Sequence, residues 1–319
     1  MGGADFVGVL PRPNLGSTVL SMPFLPLPAA IATLPCWIGE PIGAPLQGGL
    51  SNEIWKVTDA RGQFVVRLGR DYPFHHVSRD REARITRAAH AAGFAPDVVF
   101  TAPGVMVTEF ITAQTLGAAD FCADPARIAR LLHRFHSQMP QHIAGDPPLF
   151  WVFHVIRDYA RTLTHANSRH IPDLPRFLNL ARGLEAAQVP LPLIFGHNDL
   201  LPANVLDDGQ RLWLIDYEYA GFSTAMFDLA GAASNAGMDA DQSGILLRSY
   251  FGTDPGPDLR QSFAAMQCAS LLREAMWAMV SDIHLTAPGV DYAAYAAENL
   301  DKLERALARY HSVYGHFAQ

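Results

Sequence analysis

The chain changes its hydrophobic period part-way along. In "SNEIWKVT" (residues 51–58) and "QFVVRLG" (63–69), β-branched and aromatic residues dominate runs of strand length, and "DARG" between them supplies a Gly-containing turn. The pair predicts an antiparallel hairpin. "SRDREARITRAAHAAG" (78–93) shifts to helical spacing, with Ala83, Ile85, Ala88 and Ala89 near one face, Ser78 at the N-cap and Gly93 at the stop. "DVVF" (97–100) and "VMVTEF" (105–110) return to strands. From Asp124-Pro125, an N-cap followed by Pro in the first turn, the remainder predicts mainly helices, interrupted by short strands around Leu193, Val205 and Leu214. The expected fold is therefore α+β: a small N-terminal antiparallel sheet lobe with one helix, joined to a larger, mainly helical C-terminal lobe. We expect a weakly ordered leader over 1–31, the first lobe over 32–111 and the second over 112–319.

Residues 13–39 carry no charge and are long enough to raise the question of a membrane span. Pro23, Pro26, Pro28 and Pro35 answer it, because each costs roughly 3 kcal/mol inside a helix. No basic cluster of a secretory signal precedes them. Residues 1–21 are expected to be a disordered leader, or an overextended start with Met22 as the true first residue, with ordered structure beginning near Ala32.

Composition narrows the function classes. With 319 residues the chain accommodates two lobes with a core each. A net charge of −7 argues against a nucleic-acid groove or an anionic membrane surface and leaves small or cationic molecules as partners. Cys36, Cys122 and Cys268 are odd in number and form no CxxC pair, so neither a disulfide framework nor a zinc site is expected and a reducing cytoplasm is the default. His133 and His136 lie three apart on a helical face without a third ligand nearby; core histidines are the expectation, and Cys122 and Cys268 fit packing.

The chemistry concentrates in "FGHNDLLPANVL" (195–206) and "RLWLIDYEYAG" (211–221). Phosphoryl transfer needs a carboxylate to orient the attacking hydroxyl and take its proton, plus oxygen ligands that hold a divalent metal against the phosphates. Asp199 suits the first task. Asn204, and Asp216 at the end of an apolar strand, suit the second. A loop in which Asp and Asn merely cap turns is the plainer alternative, but the joint spacing from His197 through Asp199 and Asn204 to Asp216 is far more specific than any member alone.

At these residues, and in "FDLA" (227–230), the chain resembles the choline and ethanolamine kinase family, within the protein-kinase-like phosphotransferases that also include aminoglycoside phosphotransferases and thiamine kinases. The resemblance runs from about Pro45 to Leu307 and implies a bilobal protein-kinase-like fold that uses ATP and Mg²⁺. It implies that Asp199 is the catalytic base, that Asn204 and Asp216 bind Mg²⁺, that His197 braces the catalytic loop and that Asp228 anchors it. In the first lobe, Gly48, Gly49, Ser51 and Asn52 of "LQGGLSNEIWKV" would close over the phosphates, although Gly-Gly in a hairpin also suits a simple turn. Arg67 would hold phosphate oxygens with its fixed charge. Glu82 would steady Arg67, or else pair with Arg79 or Arg81 as an ordinary helix charge. Glu109, Phe110 and Ile111 would present backbone to the adenine.

For the substrate, Glu274 and Trp277 stand one turn apart on a predicted helix, and an anion beside an indole suits a cation. The resemblance adds Tyr292 or Tyr295 from the next helix. It also marks a departure, since Glu274 stands where a second Trp is expected and the cage is less aromatic for it. The expected function is ATP-dependent phosphorylation of a small cationic alcohol such as choline or ethanolamine. An aminoglycoside-type or thiamine-type kinase and a catalytically silent nucleotide-binding protein are the alternatives.

Overall fold

The computed structural model describes residues 27–46, 53–286 and 289–317. Gly48, Gly49, Ser51 and Asn52, and the leader as far as residue 26, lie outside the described residues.

The first lobe opens with α1 (Ala29–Ala32) and then builds a five-stranded sheet from β1 (Ile42–Pro45), β2 (Glu53–Asp59), β3 (Gly62–Leu68), β4 (Val98–Ala102) and β5 (Val105–Glu109). The spatial order is β1-β2-β3-β5-β4 and every pairing is antiparallel. The β2–β3 hairpin pairs Asp59 with Gly62 at its tip and Ile54 with Arg67 near its base. At the tip, Asp59 accepts from the backbone N–H groups of Ile38 and Arg61 and from the Arg61 side chain, so the turn is held by charge as well as by register. Trp55, Val57, Phe64, Val66 and Val107 alternate onto one face and form the lobe's small core.

Residues 27–31 already belong to the first lobe, which corrects the expected boundary at residue 32. Ile31 is fully buried in that core, and Trp37 donates its indole N–H to the Ile31 carbonyl at 2.7 Å. Pro28 is the N-cap of α1 and so does not interrupt it.

Between β3 and β4 runs α2 (Arg79–Ala91), whose N-cap Ser78 accepts from the Arg81 N–H. Its apolar residues Ile85 and Ala89, with Tyr72 and Val77 before it and Phe94 after it, join the core of the second lobe rather than that of the sheet. The helix is therefore shared, fastened to the large lobe while its polar side faces the sheet.

The second lobe starts with β6 (Gln114–Thr115), α3 (Ala118–Ala123), α4 (Pro125–Gln138), α5 (Val152–His165) and α6 (Leu174–Ala186). Asp124 caps α4 by accepting from Arg127 N–H, with Pro125 in the first turn as expected. Four short strands follow: β7 (Leu193–Gly196), β8 (Val205–Asp207), β9 (Leu212–Leu214) and β10 (Gly221–Thr224). They pair as β10-β7 and β6-β8-β9. The chain closes with α7 (Ala225–Ala236), α8 (Ala240–Phe251), the long α9 (Pro257–His284) and α10 (Tyr292–Tyr314). Almost all of α7 is buried, and α9 contributes Met266, Ala269, Leu272, Met276 and Met279 to the same core. Among the described residues, no helix is long and apolar enough to cross a membrane.

His136 is buried, as expected, whereas His133 is exposed and rests against Tyr250. On α4 it falls just outside the apolar stripe of Ile128, Leu131, Leu132 and Phe135.

Ile31→Ala should lower the unfolding free energy by about 2–4 kcal/mol, the range for deleting a fully buried aliphatic side chain. Urea denaturation checks this, and a change below 0.5 kcal/mol, the usual surface range, would return residues 27–31 to the leader.

Candidate active site

The loop after β7 is built around one carboxylate. Asp228, in the first turn of α7, is 1% exposed. Its Oδ2 accepts the His197 N–H at 2.7 Å and its Oδ1 accepts the Asn198 N–H at 2.7 Å, while His136 Nε2 donates to Oδ2 at 2.8 Å. Burial pushes the Asp228 pKa up, but these donors outweigh it and hold the carboxyl below its usual range. The expected architectural role of Asp228 corresponds to this geometry.

Asn198 adopts a left-handed backbone with φ +60°, and its side-chain amide donates to the carbonyls of Gly196, Tyr219 and Gly221. Asn tolerates that conformation better than most residues. The chain can fold this tightly because residue 196 is Gly: a Cβ there would lie 2.8 Å from Asn198 Oδ1. His197 reaches across to the Ile215 carbonyl at 3.0 Å, which ties this loop to the segment carrying Asp216. Asn204 donates to the Asp199 carbonyl at 3.0 Å, and Ile215 N–H donates to the Asn204 carbonyl at 3.0 Å. The loop with Asp199 and Asn204 is thus tied to the segment with Asp216 by one backbone bond and by the His197 side chain, while the Asn204 side chain closes the loop on itself.

Asp216 also has a left-handed backbone, φ +69°, and its Oδ1 lies 3.5 Å from Arg67 Nη1. Arg67 on β3 forms an ion pair with Glu82 on α2. Both readings of Glu82 therefore apply at once, because Arg79 Nη1 also contacts Glu82 Oε2 at 2.7 Å. Arg79 Nη1 continues to Glu218 Oε2 at 2.8 Å. Burial, then the neighbouring Asp216 and Glu82, push the Glu218 carboxyl up to about 8 against the pull of Arg79.

Arg67, Asp199, Asn204, Asp216 and Glu218 line a cavity of about 1760 Å³ between the lobes. At one rim stand Glu109, Phe110 and Ile111, with Lys56 Nζ 3.8 Å from the centre of the Phe110 ring. The donor set suits a hard cation: the Asn204 nitrogen is engaged with Asp199, which leaves its oxygen, and Asp216 offers a partly exposed carboxylate. Among the described residues no group of three His, Cys, Asp or Glu side chains is arranged to hold a metal, so this pair would need phosphate oxygens or water to complete a coordination sphere.

At another part of the wall, Trp277 donates its indole N–H to Tyr219 OH at 3.0 Å. His75 stacks on the indole with ring centres 5.2 Å apart, and its nitrogens meet Ser281 Oγ at 2.8 Å and Tyr159 OH at 3.1 Å. Burial pushes the His75 pKa down to about 2, so it braces the indole as a neutral ring. Glu274 Oε1 accepts from Tyr295 OH at 2.9 Å and Oε2 from Arg273 Nη1 at 2.8 Å. Glu274, Trp277 and Tyr295 line the cavity together. Tyr292 does not; it is buried behind Trp277, with ring centres 5.9 Å apart.

Sequence alone did not single out His75, Tyr219, Glu218 or Arg273, and it offered Arg79 only as a partner of Glu82. Glu218 and Tyr219 had a signal, since "DYEY" puts polar groups beside Asp216 where a strand has just ended. For His75, which reaches α9 from the loop between β3 and α2, nothing local distinguishes it.

The family model for choline/ethanolamine kinase matches residues 44–244. The chain belongs to the choline/ethanolamine kinase family. It is 30% identical over 227 residues to a probable ethanolamine kinase of Arabidopsis thaliana, covering 62% of this chain and 57% of that protein. It is 27% identical to probable choline kinase 3 of the same plant, covering 72% and 70%. A crystal structure of a choline/ethanolamine kinase family protein from Mesorhizobium loti superposes with a TM-score of 0.72 at 28% identity, over 90% of this chain and 97% of that one. The chain thus spans 57% of the length of the first of these plant proteins. The bilobal kinase-like architecture expected from the sequence is the family's fold.

Asp228→Asn should destabilise the chain by about 2–4 kcal/mol, because an amide sets an NH₂ against donors that need an acceptor. The native carboxyl is depressed in the fold, so its contribution is complete above the unfolded value near 3.9 and is lost as pH falls below it. Urea melts from pH 7 to pH 3 should show that loss in the native chain and a shallower slope in the variant. Equal slopes and equal midpoints would contradict the anchoring role.

Proposed function

We propose that the protein transfers the terminal phosphoryl group of ATP to the hydroxyl of a small alcohol that carries an ammonium group, of the choline or ethanolamine kind. The observation that carries this reading is the convergence of Asp199, Asn204 and Asp216 on a cavity whose wall also contains Trp277, Tyr295 and Glu274. Family membership supports it, as do relatives named for both alcohols.

In this reading Asp199 orients the hydroxyl and accepts its proton. The alcohol oxygen bonds to the γ-phosphorus as the bond from that phosphorus to the bridging oxygen breaks, and ADP leaves. Asn204 and Asp216 would hold Mg²⁺, which when bound supplies charge to the phosphate oxygens. Arg67, fixed between Glu82 and Asp216, faces the same oxygens from the sheet, and Glu109, Phe110 and Ile111 would receive the adenine. The ammonium end rests on Trp277 and Tyr295, whose faces attract a cation by about 0.5–2 kcal/mol each.

Turnover tests the chemistry. Asp199→Asn should reduce kcat by at least a hundredfold, the lower range for losing a general base, while Mg-ATP still binds by calorimetry. Asp216→Asn should instead weaken metal-dependent nucleotide binding. Native turnover in the first variant would remove the assignment of the base.

An ATP-consumption screen across ethanolamine, choline, thiamine and kanamycin tests the substrate class. With an accepted amino alcohol, Trp277→Ala should raise KM by roughly ten- to a hundredfold and leave the KM for ATP unchanged. An unchanged KM for the alcohol with a lowered melting temperature would make Trp277 a core residue only.

A further inference from the structure

Between β3 and α2 the chain forms a closed loop whose tip reaches α9. Tyr72 and Val77 exchange both backbone hydrogen bonds, at 3.1 and 3.0 Å, and shut residues 73–76 into a small ring. Pro73 opens its single helical turn, and His76, left-handed at φ +60°, brings the chain back. The tip grips one face of α9, since residues 277, 281 and 284 stand on successive turns. Phe74 stacks on His284 with ring centres 4.5 Å apart, His75 Nε2 meets Ser281 Oγ at 2.8 Å, and the His75 ring stacks on the Trp277 indole at 5.2 Å.

An aliphatic side chain would fill this space without the cost of desolvating a polar ring. His75 is instead 2% exposed and engages both nitrogens, one with Ser281 Oγ and the other with Tyr159 OH. A neutral imidazole donates through one nitrogen and accepts through the other. These two bonds fix the plane of the imidazole, and the stack hands that plane to the indole, which lies 23° from parallel to it.

The indole's own hydrogen bond, from Nε1 to Tyr219 OH, holds one edge atom and does not set the tilt of the ring. Tilt matters to a cation, which is drawn to the face of an aromatic ring and repelled by its edge. Charge behind the indole matters too, and burial keeps His75 neutral. Trp277 lines the cavity whereas His75 does not.

Resting on the phosphotransfer reading above, we infer that His75 is a positioning residue for the acceptor: it sets the tilt of Trp277 so that the indole presents its face to the ammonium of the alcohol. It acts through Trp277 alone and touches neither substrate.

Steady-state kinetics test this with the amino alcohol that the native full-length chain turns over fastest. His75→Ala should raise KM for the alcohol about tenfold, leave KM for ATP unchanged and change kcat by no more than about threefold, the pattern of binding lost at the acceptor only. His75→Phe keeps a neutral stacked ring and should bring KM back to within about threefold of native. His75→Gln keeps hydrogen bonding without a ring to stack and should behave like His75→Ala. In a Trp277→Ala background, His75→Ala should change KM for the alcohol by less than about twofold, because nothing is left to position. A residue that only fills the core would lower the melting temperature in both backgrounds and show none of these differences.

Circular dichroism establishes that each variant is folded. If the His75 variants do not fold, Ser281→Ala, which releases one nitrogen of the imidazole, replaces them and should raise the same KM about threefold.

Native KM for the alcohol in folded His75→Ala, or in Ser281→Ala where that variant stands in, overturns the inference and leaves the phosphotransfer reading standing. So does an equal rise in KM for ATP, or a full further loss in the Trp277→Ala background. Failure of every alcohol to consume ATP with the native chain removes the reading itself, and the inference with it.

Discussion

A single buried carboxylate organises the candidate active site. Asp228 sits in the first turn of α7, where the positive end of the helix dipole favours it, and takes hydrogen bonds from two successive backbone N–H groups and one imidazole. Three donors around a fully buried acceptor allow one arrangement of residues 196–199, including the left-handed turn at Asn198. From there the order propagates through hydrogen bonds alone: Asn204 to the Asp199 carbonyl, Ile215 to the Asn204 carbonyl, His197 to the Ile215 carbonyl. The polar groups are held in place before any ligand arrives, the condition under which fixed dipoles act most strongly on a reacting centre.

A second network crosses between the lobes. Signs alternate from Arg67 through Glu82 to Arg79, which continues to the Glu218 carboxyl, with Asp216 beside Arg67. Buried ion pairs add little net stability after desolvation, but removing one partner strands the other. Their value here is positional. The apolar face of α2 is packed in the large lobe while Glu82 fixes a strand of the sheet, so the small lobe cannot slide without breaking either the packing or the pairs. The same construction recurs at the cavity wall that carries Trp277, where His75 arrives from the β3–α2 connection to stack on the indole.

Much of this was legible in the order of residues. The β2–β3 hairpin, α2, β4, β5 and the cap of α4 follow from local alternation, turn chemistry and capping, which act over a few residues. Asp199, Asn204 and Asp216 were legible because their spacing is set by one continuous loop and strand. The packing of α1 was not, since the burial of Ile31 depends on Trp55, Val57 and Phe64, far along the chain. Nor was the orientation of Tyr292, which sits in the same helix as Tyr295 but turns behind Trp277 rather than towards the cavity.

The amino-acid sequence by itself determined the period of each element and the chemical identity of the catalytic candidates, because both depend on neighbours in the chain. Tertiary structure alone decided which charges meet. Glu82 has two cationic partners, Glu274 is shared between Arg273 and Tyr295, and Arg273 keeps two donors unused. Whether a buried charge is balanced depends on groups brought together from several elements, and local sequence carries no record of them.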